Sequence, residues 1–249
     1  MARNIKFIAQ AAAGQEAVAR NIEHCSRLGL PLITQSGPVA HRLAVVGGSP
    51  WAKDYLDELR TWDGEIWGVN GAFGWCIDHG VDATFYTIDP AESLKDMAIR
   101  AKRAVLASCC HPEVFAAVDG PIEVFPLGEL PNGSTSASTA PMGAAVRGHA
   151  HVTFFGCESS FETQIHGYDW ASQDTSRAVV VCGGQEYLTT PQLIMQAEYI
   201  AEIARALPFF INVRGRGFLP ALIEHGDYEV LKVSRAIMES LGNGNQQLH

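Results

Sequence analysis

The chain has 249 residues, of which 47% are hydrophobic, and it can therefore build one large domain with a substantial core. Its formal net charge of −9 and its lack of a Lys/Arg run argue against duplex nucleic acid as a partner, because such a surface needs a basic excess. No apolar run reaches the roughly 20 residues that span a bilayer, and residues 1–10 are not typical of a signal peptide. We therefore expect a cytoplasmic protein without a membrane span.

The cysteine pattern indicates neither a zinc site nor a disulfide framework, because no two cysteines form a CxxC pair. We expect these side chains to be buried as small hydrophobic residues. The six positions are Cys25, Cys76, Cys109, Cys110, Cys157 and Cys182.

Residues 1–40 are predicted to form an N-terminal helical extension and a linker. Val18, Ile22 and Cys25 recur at helical spacing within residues 15–28, and two prolines and a Ser-Gly pair follow in residues 30–40. We expect this extension to pack on the core or on a partner.

From residue 42 onward, short apolar runs alternate with helical segments. The predicted strands are residues 43–46, 65–69, 84–88, 104–107, 122–125 and 152–155, and the helices between them are residues 50–59, 72–79, 93–103, 112–118 and 139–148. Such alternation predicts a mostly parallel sheet with helices on both faces, joined by right-handed crossovers. The fold class is therefore α/β and Rossmann-like, with a nucleotide-binding domain over residues 41–225.

The last third of the chain is less regular. A hairpin is predicted around Gly183 and Gly184, followed by a helix over residues 192–207 and a strand over 209–213. Residues 226–249 are predicted to be a C-terminal helix, over 228–241, and a frayed tail.

Small and polar residues follow nearly every predicted strand, at the edge where open parallel sheets bind their ligands. The candidate binding residues are Gly47, Gly48, Ser49, Asn70, Asp89, Ser134, Thr135 and Ser136. A glycine turn before a helix lets a phosphate approach backbone N–H groups, and hydroxyls add further donors. An ordinary βα turn, helix caps at Asn70 and Asp89, and a solvated loop are the structural alternatives. We expect residues 128–138 to form a mobile loop that orders over the ligand.

Three residues after the sixth strand are candidates for catalysis. The Glu158 carboxylate can serve as a base or a metal ligand, and His166 and Tyr168 lie a few residues further on. His166 is the expected general base, because imidazole titrates near neutral pH; a structural role for it is the alternative. Arg214 and Arg216 stand among glycines, where they either bind a phosphate or are solvated.

Four motifs resemble the MptE-like family, whose namesake is an archaeal 6-hydroxymethyl-dihydropterin pyrophosphokinase. They are Val-Val-Gly-Gly-Ser-Pro at 45–50, Gly-Val-Asn-Gly at 68–71, Tyr-Thr-Ile-Asp-Pro at 86–90 and Phe-Phe-Gly-Cys-Glu-Ser-Ser at 154–160. The same domain occurs in bacterial motility accessory factors and is related to bacterial sialyltransferases. The resemblance implies nucleotide binding near the first turn and Asn70. The family favours an Asp where this chain has Cys157-Glu158, so the resemblance does not identify a substrate for this chain.

These observations predict a transferase that binds a nucleotide or nucleotide sugar and performs glycosyl or diphosphoryl transfer. Glycosyl transfer of the sialyltransferase type would use His166 or Tyr168 as base, and no metal is expected. A pyrophosphokinase would need Mg²⁺, for which Asp89 and Glu158 are the candidate ligands. The alternative is a non-catalytic Rossmann-like binding or assembly protein, whose terminal helices would serve association, as in a homo-oligomer.

Overall fold

A computed structural model describes residues 13–35, 41–129, 133–162 and 176–235. Its main sheet has seven strands in the order β5-β4-β3-β2-β1-β6-β9, and all their pairings are parallel. The strands are β1 (Arg42–Val46), β2 (Glu65–Val69), β3 (Thr84–Thr87), β4 (Ala104–Ala107), β5 (Ile122–Phe125), β6 (His151–Phe155) and β9 (Ile211–Val213). The predicted α/β, Rossmann-like class with a mostly parallel sheet is confirmed.

Eight α-helices lie within the described ranges. They are α1 (Gln15–Arg27), α2 (Leu56–Arg60), α3 (Gly71–Asp78), α4 (Lys95–Ala98), α5 (Pro112–Ala117), α6 (Ser136–Arg147), α7 (Pro191–Ala206) and α8 (Phe218–His225). Short 3₁₀ helices occupy Ile33–Gln35, Pro50–Tyr55 and Glu92–Leu94. No helix in these ranges is long and apolar enough to cross a membrane.

The core lies against the central strands, which are apolar without alternation because both faces of a parallel sheet are covered. Residues 43–46 of β1 are all fully buried. On the neighbouring strands, the rings of Trp67 and Tyr86 stack with centroids 4.6 Å apart. The six cysteines are also buried and free, as expected.

The N-terminal helix packs on the domain, one of the two placements expected for it. Asn21 is buried in α1, and its side-chain amide donates to the carbonyl of Cys109, 2.9 Å away. Further on, Leu32 forms a parallel bridge with Val124 and so extends the sheet beyond β5. This part of the predicted linker therefore pairs with the sheet.

A second sheet of three antiparallel strands, in the order β10-β7-β8, corrects the predicted C-terminal helix. The predicted hairpin is confirmed as β7 (Ser176–Cys182) and β8 (Gln185–Thr189), and β10 (Glu229–Arg235) pairs with β7. The helix prediction over 228–241 is wrong for residues 229–235. Val230 and Val233 both pack on the core at a spacing typical of a helix, because the register of β10 shifts between Val230 and Lys232. Residues 236–241 lie outside the described ranges.

The helix after the fifth strand begins earlier than predicted. The Thr135 hydroxyl accepts from the backbone N–H of Ser138, and the Ser138 side chain accepts in return from Thr135. This capping box starts α6 at Ser136. Residues 136–138 therefore belong to a helix and not to the predicted mobile loop, of which residues 130–132 lie outside the described ranges.

Strand order places the switch point of the sheet between β1 and β6. From β1 the chain runs outward through β2, β3, β4 and β5, and it then returns to add β6 on the other side of β1. Ligands of open α/β sheets bind outside the carboxyl ends of the strands at such a point.

Candidate active site

The turns after β1 and β6 pack directly on each other at the switch point. The N–H of Gly47 donates to the carbonyl of Phe155 at 2.8 Å, and the N–H of Ser49 donates to the carbonyl of Gly156 at 3.0 Å. A Cβ atom on Gly47 would lie 2.5 Å from the Sγ of Cys157. Gly47 is therefore required for the contact between the two turns, a role that the sequence did not indicate.

A cleft of about 220 Å³ opens beside the turn after β1. Its lining includes Gly48, Ser49, Lys53, Trp75 and His79, and the Trp75 and His79 rings stack with centroids 4.6 Å apart. Ser49 precedes the Pro50–Tyr55 helix, and its hydroxyl accepts from the N–H of Trp51 at 3.4 Å. The cleft thus combines exposed backbone, a hydroxyl, a cation and an aromatic surface.

Glu158, after β6, is a fully buried carboxylate. Neither of its oxygens has a hydrogen-bond partner of acceptable geometry among the described residues. Burial raises the pKa of Glu158 to about 7, an increase that the Ser49 hydroxyl and the backbone N–H groups of Gly156 and Glu158 partly offset. The charge of Asp54 raises this pKa further. A buried carboxyl group whose pKa lies near neutral pH can accept a proton from a substrate.

Asn70, Ser136 and Asp89 form a polar cluster at the ends of β2 and β3. The Ser136 hydroxyl donates to the Asn70 side-chain oxygen and accepts from the N–H of Ile88, both at 3.1 Å. Asp89 accepts from the N–H of Ala91 at 2.9 Å, and burial raises the pKa of its carboxyl group. Asp89 therefore stabilises a turn, a role similar to the helix cap given above as its structural alternative. Asn70, for which a cap was also the alternative, makes no side-chain cap of α3.

Thr135 is connected to the turn after β6 by a residue that sequence reasoning missed. The Thr135 hydroxyl donates to the side-chain oxygen of Gln196 at 2.8 Å, and the Gln196 amide donates to the Ser159 hydroxyl at 3.0 Å. Ser159 has φ of 58°, an uncommon backbone conformation for a residue other than glycine. The neighbouring Ser134 hydroxyl is buried, and it has no hydrogen-bond partner in the described part of the chain.

The two arginines after β9 have different surroundings. Arg214 donates from Nε and Nη2 to the Glu58 carboxylate at 3.2 and 2.8 Å, so its guanidinium group is engaged within the protein. Arg216 is exposed and lines a second cavity. His166 and Tyr168 lie outside the described residues and stay predictions.

Asp89 and Glu158 do not converge on one metal ion. They follow β3 and β6, which are separated by β2 and β1, and three strand spacings amount to about 14 Å. Mg²⁺ binds its ligands at about 2.1 Å, so one ion cannot contact both carboxylates. Across the described ranges, no group of three or more His, Cys, Asp or Glu side chains is arranged to hold a metal.

The fold has a solved neighbour. No protein-family model matches the chain, and no curated protein matches it. The chain is similar in structure to the MAf glycosyltransferase from Magnetospirillum magneticum AMB-1, with a TM-score of 0.62 and 11% sequence identity. The alignment covers 84% of this chain and 40% of the neighbour, so the chain spans less than half of that protein's length. At this identity the similarity shows a shared fold, and it agrees with the resemblance of the strand-end motifs to motility accessory factors.

Proposed function

We propose that the chain is a transferase that binds a nucleotide sugar at the carboxyl ends of β1 and β6 and passes its glycosyl group to a hydroxyl acceptor. The observation that carries the proposal is Glu158, a buried carboxylate at the switch point of the sheet whose oxygens lack a well-formed hydrogen bond to any described residue. Such a group is costly to a fold, and groups of this kind cluster at functional sites.

The cleft beside Gly48 and Ser49 supplies the binding part of the proposal. The Gly48 backbone and the Ser49 hydroxyl suit phosphate oxygens, Lys53 supplies a positive charge, and Trp75 offers a ring for stacking. At about 220 Å³ the cleft holds only part of a nucleotide sugar, because sites for whole ligands of that size measure about 300–1,000 Å³. The rest of the donor would extend along the crevice towards Glu158.

In the proposed reaction Glu158 acts as the general base. The acceptor hydroxyl gives its proton to the Glu158 carboxylate while its oxygen forms a bond to the anomeric carbon of the donor. The bond between that carbon and the phosphate oxygen breaks, and the nucleotide leaves with the electron pair. Because the pKa of Glu158 is about 7, an appreciable fraction of the group is ionised at neutral pH and can accept this proton.

Glycosyl transfer is favoured over diphosphoryl transfer for two reasons. Diphosphoryl transfer requires Mg²⁺, and the joint site expected at Asp89 and Glu158 does not form, so a single carboxylate would have to hold the ion together with the substrate phosphates. The structural neighbour is also a glycosyltransferase by name. His166 and Tyr168 remain candidates for a further role at the same site.

Thermal unfolding with CMP, UDP, GDP and ATP tests the binding step. We expect at least one nucleotide to stabilise the wild type, and Gly48→Val to abolish this shift because its side chain would occupy the phosphate position. Gly14→Val is the control, because Gly14 has open space around it and lies outside the site. Stabilisation by no nucleotide would refute nucleotide binding. Binding without release of sugar from any nucleotide-sugar donor would favour the non-catalytic binding protein.

A further inference from the structure

A second cavity, of about 350 Å³, lies beyond the carboxyl end of β9. It is enclosed by the turn between β7 and β8, by residues 215–217 and by one face of α8. We call it the β9 groove. Its side chains are mainly polar, and they include Gln185, Tyr187, Arg216, Glu224 and His225.

The charged groups of the β9 groove are available to a ligand. Arg216 and Glu224 are exposed, and neither makes an ion pair with another residue of the described ranges. The Tyr187 hydroxyl donates to the Gln185 side-chain oxygen at 3.0 Å, and the Gln185 amide group donates to no residue of the described ranges. The groove thus offers one guanidinium group for an anion, together with a carboxylate, an amide and an imidazole for hydroxyl groups.

The β9 groove and Glu158 share two neighbouring glycines, Gly215 and Gly217. A Cβ atom on Gly215 would lie 2.5 Å from Oε1 of Glu158, and one on Gly217 would lie 2.8 Å from the Cβ of Glu158. Both glycines also line the groove. Ser49, in the wall of the cleft beside the turn after β1, is close enough to Glu158 to lower its pKa. Glu158 therefore lies between the two cavities.

We propose that the β9 groove is the acceptor site, and that its ligand is a sugar with an acidic substituent bound by Arg216. The identification as acceptor site rests on the proposed transferase function. A carboxylate or phosphate group would accept two hydrogen bonds from the guanidinium group of Arg216, and the sugar hydroxyls would bind Gln185 and Glu224. Because Gly215 both lines the groove and approaches Oε1 of Glu158, an acceptor hydroxyl bound at Gly215 would lie on the side of the groove nearest to the proposed base.

Calorimetric titration of the full chain with three probes tests whether the β9 groove binds an acidic sugar. The probes are D-glucuronate, glucose 6-phosphate and neutral glucose. We expect an acidic sugar to bind at least tenfold more tightly than glucose, and Arg216→Gln to remove this preference. Lys102→Gln, which removes an exposed cation that lines neither cavity, should leave it unchanged. The first two probes distinguish a carboxylate from a phosphate ligand.

The proposal is overturned if both acidic sugars bind no better than glucose, or if Arg216→Gln binds them as the wild type does. The wild type and Lys53→Gln, which removes a cation from the cleft beside Gly48, are also titrated with CMP, UDP, GDP and ATP to separate this failure from failure of the transferase function. If Lys53→Gln weakens nucleotide binding but neither acidic sugar binds, the assignment of the β9 groove as acceptor site is refuted and the transferase function is not. Binding of an acidic sugar at Arg216 without binding of any nucleotide supports the site and refutes its role in a transferase.

Discussion

Replacing Glu158 with Gln should stabilise the protein at neutral and alkaline pH. Gln has nearly the same shape but carries no charge, so it removes the cost of holding an ionised carboxylate in a buried site. The shift of the Glu158 pKa from 4.5 to about 7 corresponds, at about 1.36 kcal/mol per pKa unit, to about 3 kcal/mol. In a chain of this length that difference raises the melting temperature by about 6 to 12 °C.

The gain should depend on pH in a defined window. Between pH 4.5 and about 7, the folded chain keeps a proton on Glu158 that the unfolded chain has released. The free energy of unfolding of the wild type therefore falls, relative to Glu158→Gln, as the pH rises through this window. Below pH 4.5 both states are protonated and the penalty is absent, whereas above pH 7 it is constant.

Urea unfolding of both proteins at intervals from pH 4.5 to 8 measures this difference directly. Glu162→Gln is the control, because it removes an exposed carboxylate nearby in the chain. Ser49→Ala should move the midpoint of the wild-type window to higher pH and Asp54→Asn to lower pH, because the two side chains shift the pKa of Glu158 in opposite directions. If the free energy of unfolding changes with pH in the same way for the wild type and Glu158→Gln, the reasoning is refuted.

Two further substitutions test the packing of the site. Gly47→Ala should lower the free energy of unfolding by about 1–3 kcal/mol, because the new Cβ overlaps the turn after β6. Gly14→Ala is the control, because Gly14 has open space around it and the change should not lower this free energy. Equal effects of the two substitutions would contradict the proposed packing. Gln196→Leu should cost about 1–3 kcal/mol, because it leaves the hydroxyls of Thr135 and Ser159 without this partner. Gln192→Leu, exposed on the same helix, is the control, and a neutral Gln196→Leu would show that the connection is not stabilising.

The parallel sheet was predictable because its signal is local. Residues 43–46, 104–107 and 152–155 are short apolar runs between helical segments, and each forms a buried strand. The strand β10 was not predictable in the same way. Its valines are spaced as on a helix, and only pairing with β7 and the shift of register show that the segment is extended.

The location of the site was also predictable, whereas its inner contacts were not. Polar residues after each strand indicated the carboxyl edge, because parallel strands all end there. Gln196 could have been noticed, since it shares a helix with buried Ile194, Ala197 and Ile200, where a polar residue needs a partner. The requirement for glycine at residue 47 depends on the distance between two turns that are far apart in the sequence.

The surroundings of Glu158 explain why one carboxylate is both costly and useful. Gly215 and Gly217 bring backbone close to Glu158, and the Ser49 hydroxyl only partly offsets the effect of burial on its pKa. Polar side chains in their place would partner the carboxylate and return its pKa towards 4.5, which would weaken it as a base. The same two glycines line the β9 groove. Loss of stability at neutral pH and a pKa suited to a general base therefore have one structural cause, the burial of Glu158.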